Sequence, residues 1–371
     1  NKRSALSGMA MTERQGGSDV RTNTTRADPQ GDGVYALTGS KWFCSAPMSD
    51  AFLVLAQAPA GLSCFFMPRI LAGGAKNAIA LERLKDKLGN RSNASSEVRF
   101  DGALAYLVGE EGRGVSTIIE MVNHTRLDCA IGSAALMRGA LAQAIHHARH
   151  RHAFGAALLD QPLMQNVLAD LALESEAATA FILRIARACD RAERDPHEAG
   201  IKRLGTALGK YWICKRTPAV VAEALEVLGG NGYVEESVMP RLFRESPLNS
   251  IWEGAGNVNA LDVLRALERQ PQTVEAYRTE LERATSDGRI ATAAKQIAGA
   301  LRGAPREEEA RILVELMVLV WQAALLVANA PPEVADAFTG SRLGGEWGRS
   351  FGTLSKKSAF KPILERAFQA S

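Results

Sequence analysis

The 371-residue sequence predicts an α+β multidomain protein: a β-sandwich or barrel over 1–108, a four-helix bundle over 109–269 and a helical extension over 270–371. Three observations carry this. Short apolar runs of strand length alternate with turn residues up to about residue 105. The texture changes at the glycine-rich Gly109–Gly114. Long Ala- and Leu-rich segments with helical periodicity then continue almost to the end.

The strands come first. Val34–Thr38 follows an Asp32-Gly33 turn, and Phe52–Ala56 and Cys64–Met67 are apolar runs of strand length. Val98–Phe100 runs into Asp101-Gly102, a second turn dipeptide. Gly109-Glu-Glu-Gly-Arg-Gly114 reads as a flexible junction. Val115–His150 reads as one very long helix. Gln161–Arg194 is a second, broken before Asp195-Pro196. Ala199–Leu228, stopped by Gly229-Gly230, is a third, and Val258–Arg269 a fourth. Long helices on short loops make a bundle. The last block has shorter helices, with breaks at Gly303–Pro305, Pro331-Pro332 and Gly344-Gly345. The first residue is Asn, not Met, and the chain reads as a piece of a longer protein.

Composition narrows the functional classes. Hydrophobic residues make up 46% and charged residues 23%, which excludes a disordered chain, a collagen or a disulfide scaffold. A net charge of +3 is too small to argue for nucleic acid or membrane. No apolar stretch is read as long enough to span a bilayer, since Glu315 and Gln322 interrupt Ile312–Val327. The five cysteines are widely spaced without a CxxC, as expected of reduced thiols in a cytoplasmic protein.

Four segments are candidates for chemistry. Met11–Asp19, with Gly16-Gly17 and the hydroxyls of Thr12 and Ser18, suits a loop wrapping a polar ring or phosphate, and equally a hairpin loop. Lys41-Trp-Phe-Cys-Ser45 can floor a planar cofactor, or be a buried strand. Leu228–Tyr233 is a glycine-rich helix stop, or a place where backbone approaches a ligand. In Ile251–Asn257, Glu253 sits beside Ile251 and Trp252. Desolvation there would raise its pKa toward that of a useful general base; a solvent-facing loop glutamate is the other reading. A His/Arg cluster, His146–His152, has two histidines one turn apart but no acidic or thiol ligand nearby. A basic face is better supported there than a metal, and no metal site is expected.

Taken together, these segments resemble the acyl-CoA dehydrogenase family of flavoproteins in order and spacing. The resemblance rests on Met11-Thr-Glu…Gly17-Ser-Asp, Gly39-x-Lys-Trp-Phe-x-Ser45, Gly109-Glu-Glu-Gly-x-Gly, Arg151-x-x-Phe-Gly155, Leu228-Gly-Gly-Asn-Gly-Tyr233 and Trp252-Glu-Gly254. The wording around Thr12, Asn123-His-Thr-Arg-Leu-Asp128, Ser250–Asn257 and Ser341–Arg349 is most similar to the adaptive-response, AidB-type branch. The resemblance implies FAD, an acyl-CoA thioester substrate, a homo-oligomer and a preceding helical domain that this chain lacks.

It also implies roles. Glu253 would be the catalytic base. Met11, Thr12, Phe43 and Ser45 would lie against the flavin ring. Arg151, Phe154, Gly229, Gly230, Gly232 and Asn257 would hold the rest of an FAD, in part that of a neighbouring subunit. Ser18 and Arg126 would lie on the substrate side. Thr125 stands at a helix position that is acidic in a minority of members, so no second base is implied. The branch implies an alternative: a flavin-containing, duplex-DNA-associated alkylation-stress protein with weak dehydrogenase activity. The net charge of residues 270–371 is only +1, a faint basic footprint for DNA, and Lys356, Lys357 and Lys361 read as a solvated helix face.

Overall fold

The structure is a computed structural model that describes residues 3–303, 305–355 and 357–369. Ala304 and Lys356 of the expected helix break and lysine cluster therefore lie outside the described residues. The chain divides into two compact units, residues 1–124 and 125–371.

The first unit is a β-barrel. Its strands are β1 (Ser7–Ala10), β2 (Arg26–Gly31), β3 (Val34–Ser45), β4 (Ala51–Ala58), β5 (Gly61–Pro68), β6 (Ile79–Leu84) and β7 (Ser95–Val108). The sheet runs β1-β4-β2-β3-β7-β5, and β5 pairs back with β4, so the path closes on itself. Leu37, Phe52, Val54, Phe65, Met67, Val98 and Phe100 fill its interior. The sequence reading missed β1, β2 and β6. β1 has only four residues, β2 is mainly polar, and β6, although it opens with Ile79-Ala80-Leu81, is largely exposed.

Two bulges shape the long strands. Asp101-Gly102 is not a turn: β7 continues through it. The pairing steps from Leu37↔Ala103 to Thr38↔Asp101, which leaves Gly102 as an extra residue. Its φ of 78° is a conformation that glycine adopts without strain. The second shift, between Lys41↔Val98 and Cys44↔Ser96, places the bulge at Trp42-Phe43. It lets Lys41 and Cys44 both be buried while Phe43 is turned outward, half exposed.

Gly109–Gly114 is not a flexible junction either. Glu111 accepts hydrogen bonds from the Tyr35 hydroxyl (2.6 Å) and the Ala60 N–H (2.7 Å), and the Gly112 N–H donates to Ser63 Oγ (2.8 Å). A Cβ at Gly114 would lie 2.5 Å from the Ser63 carbonyl carbon, so these glycines are there for close packing. Helix α1 (Gly114–His150) starts at this point. Its first turns pack through Ile118 and Met121 on Leu55 and Cys64, which is why the first unit ends at residue 124.

Among its described residues the second unit is helical apart from a small hairpin of β8 (His152–Ala153) and β9 (Ala156–Ala157). After α1 come α2 (Pro162–Arg191), α3 (Pro196–Val227), α4 (Gly230–Tyr233), α5 (Met239–Glu245) and α6 (Gly256–Arg269). Asp195 caps α3 by accepting the His197 N–H at 2.9 Å, with Pro196 in the first turn. Then follow α7 (Pro271–Glu282), α8 (Gly288–Arg302), α9 (Ala310–Asn329), α10 (Pro332–Arg342) and α11 (Phe360–Gln369). One continuous core runs from Leu127 to Leu364, so the helices after residue 269 share the hydrophobic interior of those before it.

α9 corrects the membrane reading. With its preceding turn it forms a 23-residue helical stretch, Glu307–Asn329, long and apolar enough to cross a bilayer. Its apolar residues are used otherwise: Val314, Met317, Val318, Val320 and Trp321 are buried in the core. Trp321 meets Phe181 and Tyr277 edge-on at 5.0 and 5.5 Å.

A buried ion cluster pins the end of α10 to α2. Arg342, its side chain fully buried, reaches Asp170 at 2.6 Å and Glu174 at 2.8 Å. Arg216 approaches Glu174 at 3.3 Å. All five cysteines are free thiols, and burial pushes those of Cys44 and Cys129 up to about 12. Neither is a nucleophile near neutral pH.

Candidate active site

In the first unit the candidate residues gather where the loop after β1 meets the end of β3. The Trp42 N–H donates to the Thr12 carbonyl (2.9 Å), and the Asn23 side chain donates to the Met11 carbonyl (2.8 Å). A Cβ at Gly17 would fall 2.4 Å from Thr12 Oγ1, so the loop folds onto itself only with glycine there. Met11, Thr12 and Ser45 are partly buried, Ser18 is exposed, and Phe43 is turned outward by its bulge. Three hydroxyls with a thioether and a phenyl ring suit a planar group with a polar edge.

Glu13 holds this loop, and sequence reading assigned it no role. Its buried carboxylate accepts from Lys41 Nζ (2.8 Å), the Thr24 N–H (2.7 Å) and hydroxyl (2.9 Å), and the Thr25 N–H (3.0 Å) and hydroxyl (2.6 Å). Burial alone would raise its pKa. The hydrogen bonds from Lys41, Thr24 and Thr25, with the Lys41 charge, outweigh that and hold it well below the usual carboxylate range.

In the second unit the centre is the loop before α6. Glu253 and Gly254 both have left-handed backbones, with φ of 58° and 92°. For a glutamate that is a strained conformation. The loop is fixed through its carbonyls. Arg126 Nε donates to the Glu253 carbonyl (3.1 Å). Lys210 Nζ donates to the carbonyls of Asn249 (2.5 Å) and Gly254 (3.2 Å). Asn259 Nδ2 donates to the Gly254 carbonyl (2.6 Å). Arg126 also meets Asp262 at 3.0 Å, which Arg203 holds from its other side at 2.9 Å. The Trp252 indole N–H donates to Asn249 Oδ1 (2.9 Å).

The Glu253 carboxylate turns toward α1, where the Thr125 hydroxyl donates to its Oε2 at 2.9 Å. Burial pushes its pKa up, against the Thr125 hydrogen bond and the nearby charges of Lys210 and Arg126. The sequence reading credited this desolvation to Ile251 and Trp252. Ile251 is 62% exposed; the groups that hydrogen-bond or electrostatically influence the carboxylate come from α1 and α3. The signal that could have found Thr125 and Lys210 is their spacing from buried faces of α1 and α3, but nothing local links either to a loop more than 40 residues away.

The remaining candidates lie elsewhere in this unit. Arg151 directly precedes the β8–β9 hairpin, and Phe154, with φ of 53°, sits at its tip, 97% exposed. Gly229, at φ 58°, ends α3. Gly230 has open space where a Cβ would be, and a Cβ at Gly232 would lie 2.3 Å from the Leu225 carbonyl. Asn257, in the first turn of α6, accepts from Arg311 Nε at 2.8 Å. Arg126 is buried and engaged by Glu253 and Asp262. The His146 and His150 rings lie 4.5 Å apart, and no group of three or more potential metal ligands occurs among the described residues.

Comparison with known proteins finds two family domains along the chain. Residues 8–103 match the acyl-CoA dehydrogenase middle domain, and residues 112–268 the acyl-CoA dehydrogenase C-terminal domain. The putative acyl-CoA dehydrogenase AidB of Escherichia coli is 52% identical over 338 residues, 91% of this chain and 62% of that protein. Acyl-CoA dehydrogenase family member 11 of Caenorhabditis elegans is 34% identical over 74% of this chain and 47% of its own length. The crystal structure of Caenorhabditis elegans ACDH-11 in complex with C11-CoA superposes with a TM-score of 0.85 at 26% identity, covering 99% of this chain and 68% of that one. The chain thus spans less than two thirds of the length of these curated relatives. Two matched domains in order, on a barrel followed by long helices, establish that this chain belongs to the acyl-CoA dehydrogenase family.

Proposed function

We propose that this chain is the barrel and helical part of an FAD-dependent acyl-CoA dehydrogenase-type oxidoreductase, with Glu253 as its base. The observation that carries this is the Glu253 site: a carboxylate on a strained, clamped loop, with its pKa pushed up by burial and no cation hydrogen-bonded to its oxygens among the described residues.

The chemistry follows from that setting. A proton α to a thioester is weakly acidic, and a carboxylate of raised pKa removes it more readily than an ordinary one. The proton goes to Glu253, the β-hydrogen leaves with its electron pair, and a Cα=Cβ bond forms. FAD, when bound, supplies the hydride acceptor. Met11, Thr12, Phe43 and Ser45 offer an apolar surface and hydroxyls for the flavin ring and its edge. Arg151, Phe154 and the Gly229–Gly232 turn offer a cation, an exposed ring and open backbone for the pyrophosphate and adenine, in a homo-oligomer for that of a neighbouring subunit. Ser18 serves the substrate side. Arg126 acts there through the backbone of Glu253.

The test is anaerobic mixing of the FAD-loaded protein with a panel of acyl-CoA thioesters that includes an undecanoyl chain, following flavin absorbance. Bleaching by at least one thioester is expected. Glu253→Gln is expected to retain FAD and lose bleaching by at least about 10³-fold, within the range for a positioned general base. Unchanged bleaching in that variant would remove Glu253 from the mechanism.

A further inference from the structure

We propose, resting on the dehydrogenase reading above, that Thr125 is a positioning residue for the base: its hydroxyl, 2.9 Å from Glu253 Oε2, keeps the carboxylate in its proton-accepting form and aimed in one direction.

The geometry separates two tasks. Arg126, Lys210 and Asn259 hold the loop by its main-chain carbonyls. Their hydrogen bonds to the loop leave the carboxylate free to rotate about its side-chain torsions. Among the described residues, Thr125 is the group that hydrogen-bonds the carboxylate itself. It stands on a long helix, so its own position is rigid. A base must stay ionised to work, and burial opposes ionisation. A hydrogen bond donated to the charged form offsets that, and a charge-assisted bond is about twice as strong as a neutral one.

A hydroxyl suits the task better than a cation. It carries no charge, so it stabilises the carboxylate without making it a poor base, as an ammonium would. It both donates and accepts, so once Glu253 has taken a proton the same oxygen accepts a hydrogen bond from the new acid. The other charged or titratable groups that act on Glu253 are Arg126 and Cys129 on α1 and Lys210 on α3; behind them, Asp262 on α6 pairs with Arg126, and Cys214 on α3 acts on Lys210. The Arg126 guanidinium is occupied by the Glu253 carbonyl and Asp262, and Lys210 by two carbonyls. Burial raises both thiols, so they stay neutral near pH 7.

Thr125→Val keeps the shape and removes the hydroxyl; Thr125→Ser keeps the hydroxyl. In protein labelled with ¹³C at the glutamate carboxyl, the Glu253 signal is identified by its absence in Glu253→Gln and titrated by NMR. Its midpoint is expected to rise by about one pH unit in Thr125→Val and to return to the wild-type value in Thr125→Ser. The acidic limb of the pH–rate profile for flavin reduction should move with it, with FAD content unchanged. An unmoved midpoint in Thr125→Val, or no recovery in Thr125→Ser, overturns the proposal. Absence of flavin reduction with every thioester in the wild type would overturn the dehydrogenase reading, while the NMR titration would still test the Thr125 contact.

Discussion

Glu13 in the barrel and Glu253 in the helical unit are both withdrawn from water, and their surroundings treat them oppositely. Glu13 receives two threonine hydroxyls, two backbone N–H groups and the buried Lys41 ammonium, and is held ionised far below its ordinary pKa. Among the described residues Glu253 receives one hydroxyl, while the cations near it are occupied by backbone carbonyls and Asp262, and its pKa rises. Burial therefore does not decide in which direction a carboxylate's pKa moves. The donors that reach its oxygens do. A carboxylate saturated with donors has no reason to take a proton; one left nearly bare does.

Removing the cation from the saturated site is the strongest way to break this contrast. Lys41→Met leaves Glu13 buried and unpaired, and a loss of about 3–5 kcal/mol is expected in chemical denaturation of the barrel. Removing one neutral donor should cost less. Thr25→Val takes away the 2.6 Å hydroxyl contact to a charged group, and about 1–3 kcal/mol is expected by the same measurement. The smallest effect belongs to Glu253, the proposed base. Glu253→Gln removes a charge that the fold disfavours, so stability at neutral pH should change by less than about 1 kcal/mol.

The pH dependence sharpens the same contrast, because the two signs differ. Glu13 has a lowered folded pKa. Its contribution is present above about 4.3, the ordinary glutamate value, and is lost as the pH falls toward the lowered one. Glu253 has a raised folded pKa. Its contribution is present below about 4.3 and is lost as the pH rises through the raised value. Thermal melts of wild type, Glu13→Gln and Glu253→Gln across pH 3–8 should show the wild-type advantage over Glu13→Gln shrinking in acid. The difference from Glu253→Gln should change in the opposite sense.

Much of the fold was legible along the chain. The long helices are marked by apolar periodicity and by local stops such as Asp195-Pro196 and Gly229-Gly230, and they fall within a few residues of their expected ends. The barrel's central strands show as apolar runs; β1 and β2 do not, and in β6 the apolar Ile79-Ala80-Leu81 is too short a signal in a strand that buries little. Asp101-Gly102 misled because one dipeptide serves both a reversal and a bulge, and only the partner strand distinguishes them. The apolar run of α9 was set aside for its two polar interruptions, yet Gln322 lies inside the core and α9 is apolar enough for a membrane.

The sequence by itself determined the barrel-then-helices class and the course of the long helices, and it singled out Glu253 as the candidate base. These follow from local pattern and short motifs, which are written in consecutive residues. Only the tertiary structure decided what each buried carboxylate can do. Thr125 is 128 positions from Glu253, Arg126 is 127, and the Gly254 carbonyl is 44 from Lys210. Ionisation of a buried acid depends on the few donors within about 3 Å of it, and in this chain helix packing, rather than neighbouring sequence, brings them there.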